Sequence, residues 1–75
     1  MTWLPLGSKM VVSVAYDATQ RILYLRFRSG DVYRYFQFSN DDYQHFLAAE
    51  SKGRHFLTHI RNYFLYERLA KLQVA

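Results

Sequence analysis

The chain has 75 residues, 51% hydrophobic and 19% aromatic, which is enough for one small domain with a core built from large rings, and it argues against disorder. It has no cysteine, which excludes disulfides and thiolate chemistry, and its formal charge of +4 suits a polyanionic partner, though many small soluble proteins carry such a charge without one. No apolar run approaches bilayer length, and MTWLPLGSK lacks the basic start and long apolar stretch of a signal peptide, so a cytoplasmic protein with no membrane contact is expected.

Residues 1–9, with Pro5 and Gly7, read as an N-terminal arm, and residues 10–72 as a single domain. The β-branched, apolar run 10–16 (MVVSVAY) predicts a first strand. Turn residues Asp17 to Gln20 follow, then a second strand over 22–28 (ILYLRFR), a tight turn at Ser29-Gly30 and a third strand over 32–36. Short connections imply an antiparallel meander. Ser39 or Asn40 is placed to cap a helix whose first turn holds Asp41 and Asp42. Gly53 suits the position that closes this helix, and a second, longer helix is expected from about Arg54 to Leu72. The expected fold class is α+β: a three-stranded antiparallel meander followed by two helices packed on one face, βββαα.

The turn between the second and third strands decides which way "DVYRYFQF" (31–38) faces. A two-residue loop would need Ser29 in the left-handed region, where Ser is poor. A three-residue loop, Arg28-Ser29-Gly30, asks this only of Gly30 and creates a G1 bulge. It pairs Phe27 with Asp31, Leu25 with Tyr33 and Leu23 with Tyr35. Tyr33 and Tyr35 then face the helices. Tyr24, Arg26, Arg34 and Phe36 share the opposite face, where rings and guanidinium groups are placed to stack on bases, or form a plain outer surface partly covered by the arm.

In the expected second helix, Phe56, Ile60, Tyr63 and Phe64 share a core face. Arg54, Arg61 and Arg68 stand seven apart and would line one stripe, a phosphate track or an ordinary solvated face. After residue 64 the periodicity changes. Leu65, Leu69 and Leu72 form a second apolar stripe, which predicts cover from Trp3, Leu4 and Leu6 of the arm or from a second subunit.

No catalytic chemistry is legible. His55 and His59 have the four-residue spacing of a metal pair, but no nearby acid or cysteine completes a site, so no metal or cofactor is expected. The serines lack a nucleophile-elbow context, and there is no GxGxxG and no P-loop.

The chain resembles the KTSC domain family over roughly Ser8 to Leu69. Ser13 to Asp17 fits the family's first strand, and Leu23, Leu25, Phe27 and Gly30 fit its second strand and turn. Tyr33-Arg34-Tyr35 fits its central Tyr-x-Tyr motif. Ala49, Ser51 and Gly53, then Ile60-Arg61 and Tyr63, fit its C-terminal half. The family pattern commonly has a polar residue, often Asn, after the aromatic of the second helix, whereas here Phe56 is followed by Leu57. The family occurs at the C-terminal end of some lysyl-tRNA synthetases and as free-standing small bacterial proteins, and the resemblance implies RNA as a partner.

The function expected from all of this is a small non-catalytic binding module, RNA-binding through its arginines. Two alternatives are a protein-interaction or homodimerising module using Leu65, Leu69 and Leu72, and a binder of a small nucleotide.

Overall fold

The computed structural model describes residues 1–69. Five antiparallel strands form one sheet in the order β1-β2-β3-β4-β5: Leu4–Pro5, Val11–Asp17, Ile22–Phe27, Val32–Tyr35 and Tyr66–Leu69. Between β4 and β5 the chain makes a helical layer: α1 (Asn40–Ala48), then α2 (Lys52–His55), which runs on into a π-helical turn at Phe56–Ile60.

The meander forms for the reasons visible in the residues. Asp17 Oδ1 accepts from the backbone N–H groups of Thr19 and Gln20, each at 3.0 Å, which shapes the β2–β3 turn. Gly30 takes φ 96° in the β3–β4 turn and donates to Phe27 O at 2.9 Å, and Phe27 N donates to Asp31 O at 2.9 Å. Leu25 therefore pairs with Tyr33 and Leu23 with Tyr35, the register that a three-residue loop requires. Ser39 caps α1, its side chain accepting from Asp42 N at 3.0 Å.

The helical layer covers one sheet face. Phe46 of α1 and Phe56 and Ile60 of the second helical segment close over Val11, Val14, Leu23 and Leu25, with Phe38 sealing the end. Tyr16 stacks on Tyr43 at 4.5 Å between ring centres, and its hydroxyl donates to Phe38 O.

Three expectations about topology are corrected. The arm contributes a two-residue strand, β1, paired with β2 at Leu4↔Val14 and Pro5↔Ser13. Gly53 does not close α1, which ends at Ala48. It lies inside α2, whose start is capped by Ser51. An added Cβ at Gly53 would stand 3.3 Å from Met10 Cβ, so the glycine admits Met10 against the helix.

The second helix also does not run to Leu72. Its last turn widens, Arg61 N donating to Phe56 O at 2.8 Å, and Asn62 turns the chain at φ 71°. The chain then returns as β5, so the sheet has five strands rather than three.

Candidate functional site

The inner face of β4 and β5 carries a row of tyrosines. Strand alternation puts Tyr33 and Tyr35 on the helix side, and the register places Tyr66 opposite Tyr35. The three ring centres lie 5.7–6.4 Å apart. Phe56 stands edge-on to Tyr35 at 5.9 Å and to Phe27 at 5.1 Å. Sheet and π turn therefore enclose an aromatic cleft of about 570 Å³, with Arg28, Arg61 and Asn62 at its rim.

The polar groups here are unequally engaged. Arg28 donates to the backbone oxygens of Lys9 and Ser8, and Asp31 receives Arg68 at 2.9 Å. Among the described residues, the hydroxyls of Tyr33, Tyr35 and Tyr66 and the guanidinium of Arg61 have no hydrogen-bond or ion-pair partner. The Tyr35 ring is only 4% exposed. Burial pushes its phenol well up from 10.0, and the Tyr33 and Tyr66 phenols add to this, while Arg61 acts in the opposite direction. Tyr35 is a neutral phenol at any physiological pH, able both to donate and to accept.

A second groove adjoins this cleft. Met10 and Leu57 line both spaces, and the second, about 540 Å³, lies between the Pro5–Lys9 segment and the start of α2, where Lys9, Lys52 and Arg54 gather. Met10 is 36% and Leu57 44% exposed, so the divide between the two is an apolar saddle open to solvent.

The structure separates the arginines expected on one helical stripe. Arg54 is exposed on α2, Arg61 follows the π turn, and Arg68 lies on β5, held by Asp31. The helix ends before Arg68, so no stripe of three exists. The leucine stripe is corrected for the same reason. Leu65 is 75% exposed before β5 and Leu69 is half-buried within it, while Leu72 lies outside the described residues. Trp3 packs on Tyr24.

The outer-face group does come together. Arg26 lies over the Trp3 ring at 4.7 Å and Arg34 over Phe36 at 5.3 Å. Interaction with the Tyr24 hydroxyl, then with Glu67, raises Arg34 further above its ordinary value. Arg34 and Glu67 form a cross-strand ion pair. The guanidinium groups of this platform are thus already engaged with its own rings and acid.

His55 and His59 stack nearly parallel, 4.5 Å between centres, and His55 also meets Phe46 edge-on. His59 Nδ1 lies 2.6 Å from Thr58 Oγ1. This is packing geometry, and among the described residues no group of three or more His, Cys, Asp or Glu is arranged to hold a metal ion.

Tyr33 and Tyr35 face the helices as expected: Tyr35 is a core residue and Tyr33 is half-buried against that core, while Tyr66, Asn62 and Arg28 are neighbours that the sequence did not reveal. Asn62 was the available signal, since Asn is a favoured residue where a helix stops in the left-handed conformation.

Sheet order, a helical layer on one face and a tyrosine cleft between the layers define a small single-sheet α+β domain. Residues 7–64 match the KTSC domain, and the chain belongs to that family. A crystal structure of a KTSC domain protein from Yersinia pestis superposes with a TM-score of 0.89 at 32% identity, covering 92% of this chain and 97% of the other. An uncharacterised protein of Stutzerimonas stutzeri is 41% identical over 56 residues, 75% of this chain and 79% of its own. A protein of Tsukamurella paurometabola is 38% identical over 50 residues, 67% of this chain and 75% of its own. Of the residues that carry the family resemblance, Tyr33, Tyr35 and Arg61 line the tyrosine cleft and Gly53 the adjoining groove, whereas Tyr63 is exposed.

Proposed function

We propose that this domain is a non-catalytic module that binds single-stranded RNA in the tyrosine cleft. The observation that carries the reading is the cleft itself: ring faces and edges on which a planar base can pack, three phenols with no hydrogen-bond partner among the described residues, and beside them the Arg61 guanidinium, which has no hydrogen-bond or ion-pair partner among the described residues either. Aromatic faces accept any base, and hydroxyl groups reach its polar edge. Arg61 supplies a cation for the phosphate. The outer platform is a weaker candidate, because a base would have to displace Arg34 from Glu67 or Arg26 from Trp3.

A labelled single strand and a blunt RNA hairpin, titrated at two salt concentrations, test this. The single strand is expected to bind better, with affinity falling as salt rises. Arg61→Gln should weaken binding about uniformly across sequences and lower the salt slope by roughly one unit. Phe36→Ala should change little. Absence of binding at low salt by the folded protein ends the reading.

One observation favours a second reading. Tyr63 and Leu65 just before β5 and Tyr66 at its start are exposed, and β5 is an edge strand with no further strand partner among the described residues. Self-association through that edge would appear as a sedimentation coefficient that rises with concentration in the absence of RNA.

A further inference from the structure

We infer that the strand does not end in the tyrosine cleft but continues over the Met10–Leu57 saddle into the second groove, so that the ligand is an oligonucleotide rather than a mononucleotide. This rests on the RNA reading above and specifies the path and length of its ligand.

Three observations carry it. The first is continuity, because Met10 and Leu57 line both spaces and separate them only by an apolar, solvent-open saddle. An exposed methionine and leucine at such a point offer a surface for the flat face of a base while leaving the backbone free to pass. The saddle's height is also built in: Gly53 sits against Met10, and a side chain there would push the methionine outward.

The second is charge. The two linings together contain Lys9, Arg28, Lys52, Arg54 and Arg61, five of the ten lysines and arginines of the chain, against two of the six acids, Glu50 and Asp31. Asp31 is held by Arg68. Lys52 donates to Ala49 O and Arg28 to backbone oxygens, so they add field rather than free donors. Lys9, Arg54 and Arg61 are exposed, and among the described residues their side chains have no hydrogen-bond or ion-pair partner. Half of the chain's cations thus lie along this route, where they outnumber the acids by five to two.

The third is spacing. Arg54 lies within α2 and Arg61 just after the π turn, seven residues on and no more than about 10 Å apart along the axis at ~1.5 Å per residue. That is about three steps of a stacked strand at ~3.4 Å each. The two guanidinium groups are therefore placed to meet phosphates of one strand a few nucleotides apart, with bases between them over the tyrosines and the saddle.

A length series tests this on the whole 75-residue chain. Adenosine monophosphate, a dinucleotide, a tetranucleotide and an octanucleotide of RNA are titrated at one low salt concentration by isothermal calorimetry. Affinity is expected to rise at least about tenfold from monophosphate to tetranucleotide and to level off after that. Arg54→Gln and Lys9→Gln should each weaken the tetranucleotide by about threefold or more while leaving the monophosphate unchanged, and Arg61→Gln should weaken both. Equal affinity at every length, or Arg54→Gln without effect on the octanucleotide, overturns the continuous path and leaves the cleft as a mononucleotide site. Failure of every length to bind overturns the path and the RNA reading together. Equally tight binding of inorganic polyphosphate of matched charge overturns the role of the bases.

Discussion

Removing one oxygen, in Tyr35→Phe, separates the cleft as a binding site from the cleft as packing. The ring of Tyr35 is 4% exposed, wedged among Phe56, Tyr33 and Tyr66, and its hydroxyl bonds to nothing among the described residues. Losing an internal hydrogen bond would cost about 0.5–1.5 kcal/mol, and no such bond is lost here. Nor is a large gain expected, because among the described residues it is Ser13 Oγ, and not the Tyr35 oxygen, that is fully buried without a partner. The expected change in unfolding free energy is within about 0.5 kcal/mol. At ~4–8 °C per kcal/mol for a domain of this size, Tm should move by less than about 4 °C. Tyr35→Ala is the contrast. Deleting a buried ring costs about 3–5 kcal/mol. At roughly 0.05–0.15 kcal/mol per residue, the whole domain has only about 4–11 kcal/mol to lose. Urea denaturation followed by far-ultraviolet circular dichroism, beside an RNA titration, reads both effects. The Phe variant should keep its midpoint and bind RNA at least about threefold more weakly, as befits a lost hydrogen bond to a ligand. A stability loss of about 1.5 kcal/mol or more would show that the hydroxyl is bonded within the protein, and would refute its availability to a ligand. Alkaline pH gives an independent check. The folded phenol is raised above 10.0, so its contribution to stability is complete below that value and is lost as pH rises through the folded value. In Tyr35→Phe that alkaline loss should be smaller.

Ser13→Ala removes a buried hydroxyl that has no partner among the described residues, so stability should hold or rise by up to about 1 kcal/mol, and a clear fall in urea midpoint would contradict this. Gly53→Ala gains about 1 kcal/mol of helix propensity but overpacks against Met10 Cβ, whose backbone is held by Arg28 N donating to Met10 O; a net loss of about 1 kcal/mol in thermal melts is expected, and an unchanged Tm would show that Met10 yields. Burial lowers the His55 pKa below 6.5, helped by His59, His45 and Lys52 and opposed by Asp42. The unfolded chain then takes the proton first, so stability is full above that value and falls as pH drops through it toward the folded value. His55→Gln should flatten the decline between about pH 7.5 and 5, measured by urea midpoints, and an unchanged slope would assign the decline to other groups.

The meander was readable because turn chemistry and alternation agreed. Gly30 had to take the left-handed position, and once it did, Leu23, Leu25, Tyr33 and Tyr35 had to share the inner face. The α1 cap was readable for the same kind of local reason. The region after Phe56 was not, because Leu65 to Leu69 keep residues that suit a helix, and what makes them a strand is the free edge of β4, a distant partner. The change of periodicity after Phe64 marked the place without naming the outcome. The cleft followed the same division. Tyr33 and Tyr35 could be oriented from their own hairpin, but the cleft beside them depended on Tyr66 arriving on β5 and on the helix stopping at Ile60.

That late partner bears on how the domain assembles. Strands β2 to β4 can zip through short turns, whereas β5 meets β4 only after the whole helical layer has been threaded between them. Closing so long a loop costs entropy that is repaid only once the layer has collapsed onto the sheet. β5 is then a four-residue edge fastened by ion pairs at its two sides, Arg34–Glu67 outside and Asp31–Arg68 inside, both open to solvent. Such pairs hold weakly. The amides of β5 therefore belong at the early-exchanging end of the molecule, opening without global unfolding, while those of β3 exchange last. Tyr66 travels with that strand, so one wall of the cleft is a separately breathing element, and the site opens more often than the protein unfolds.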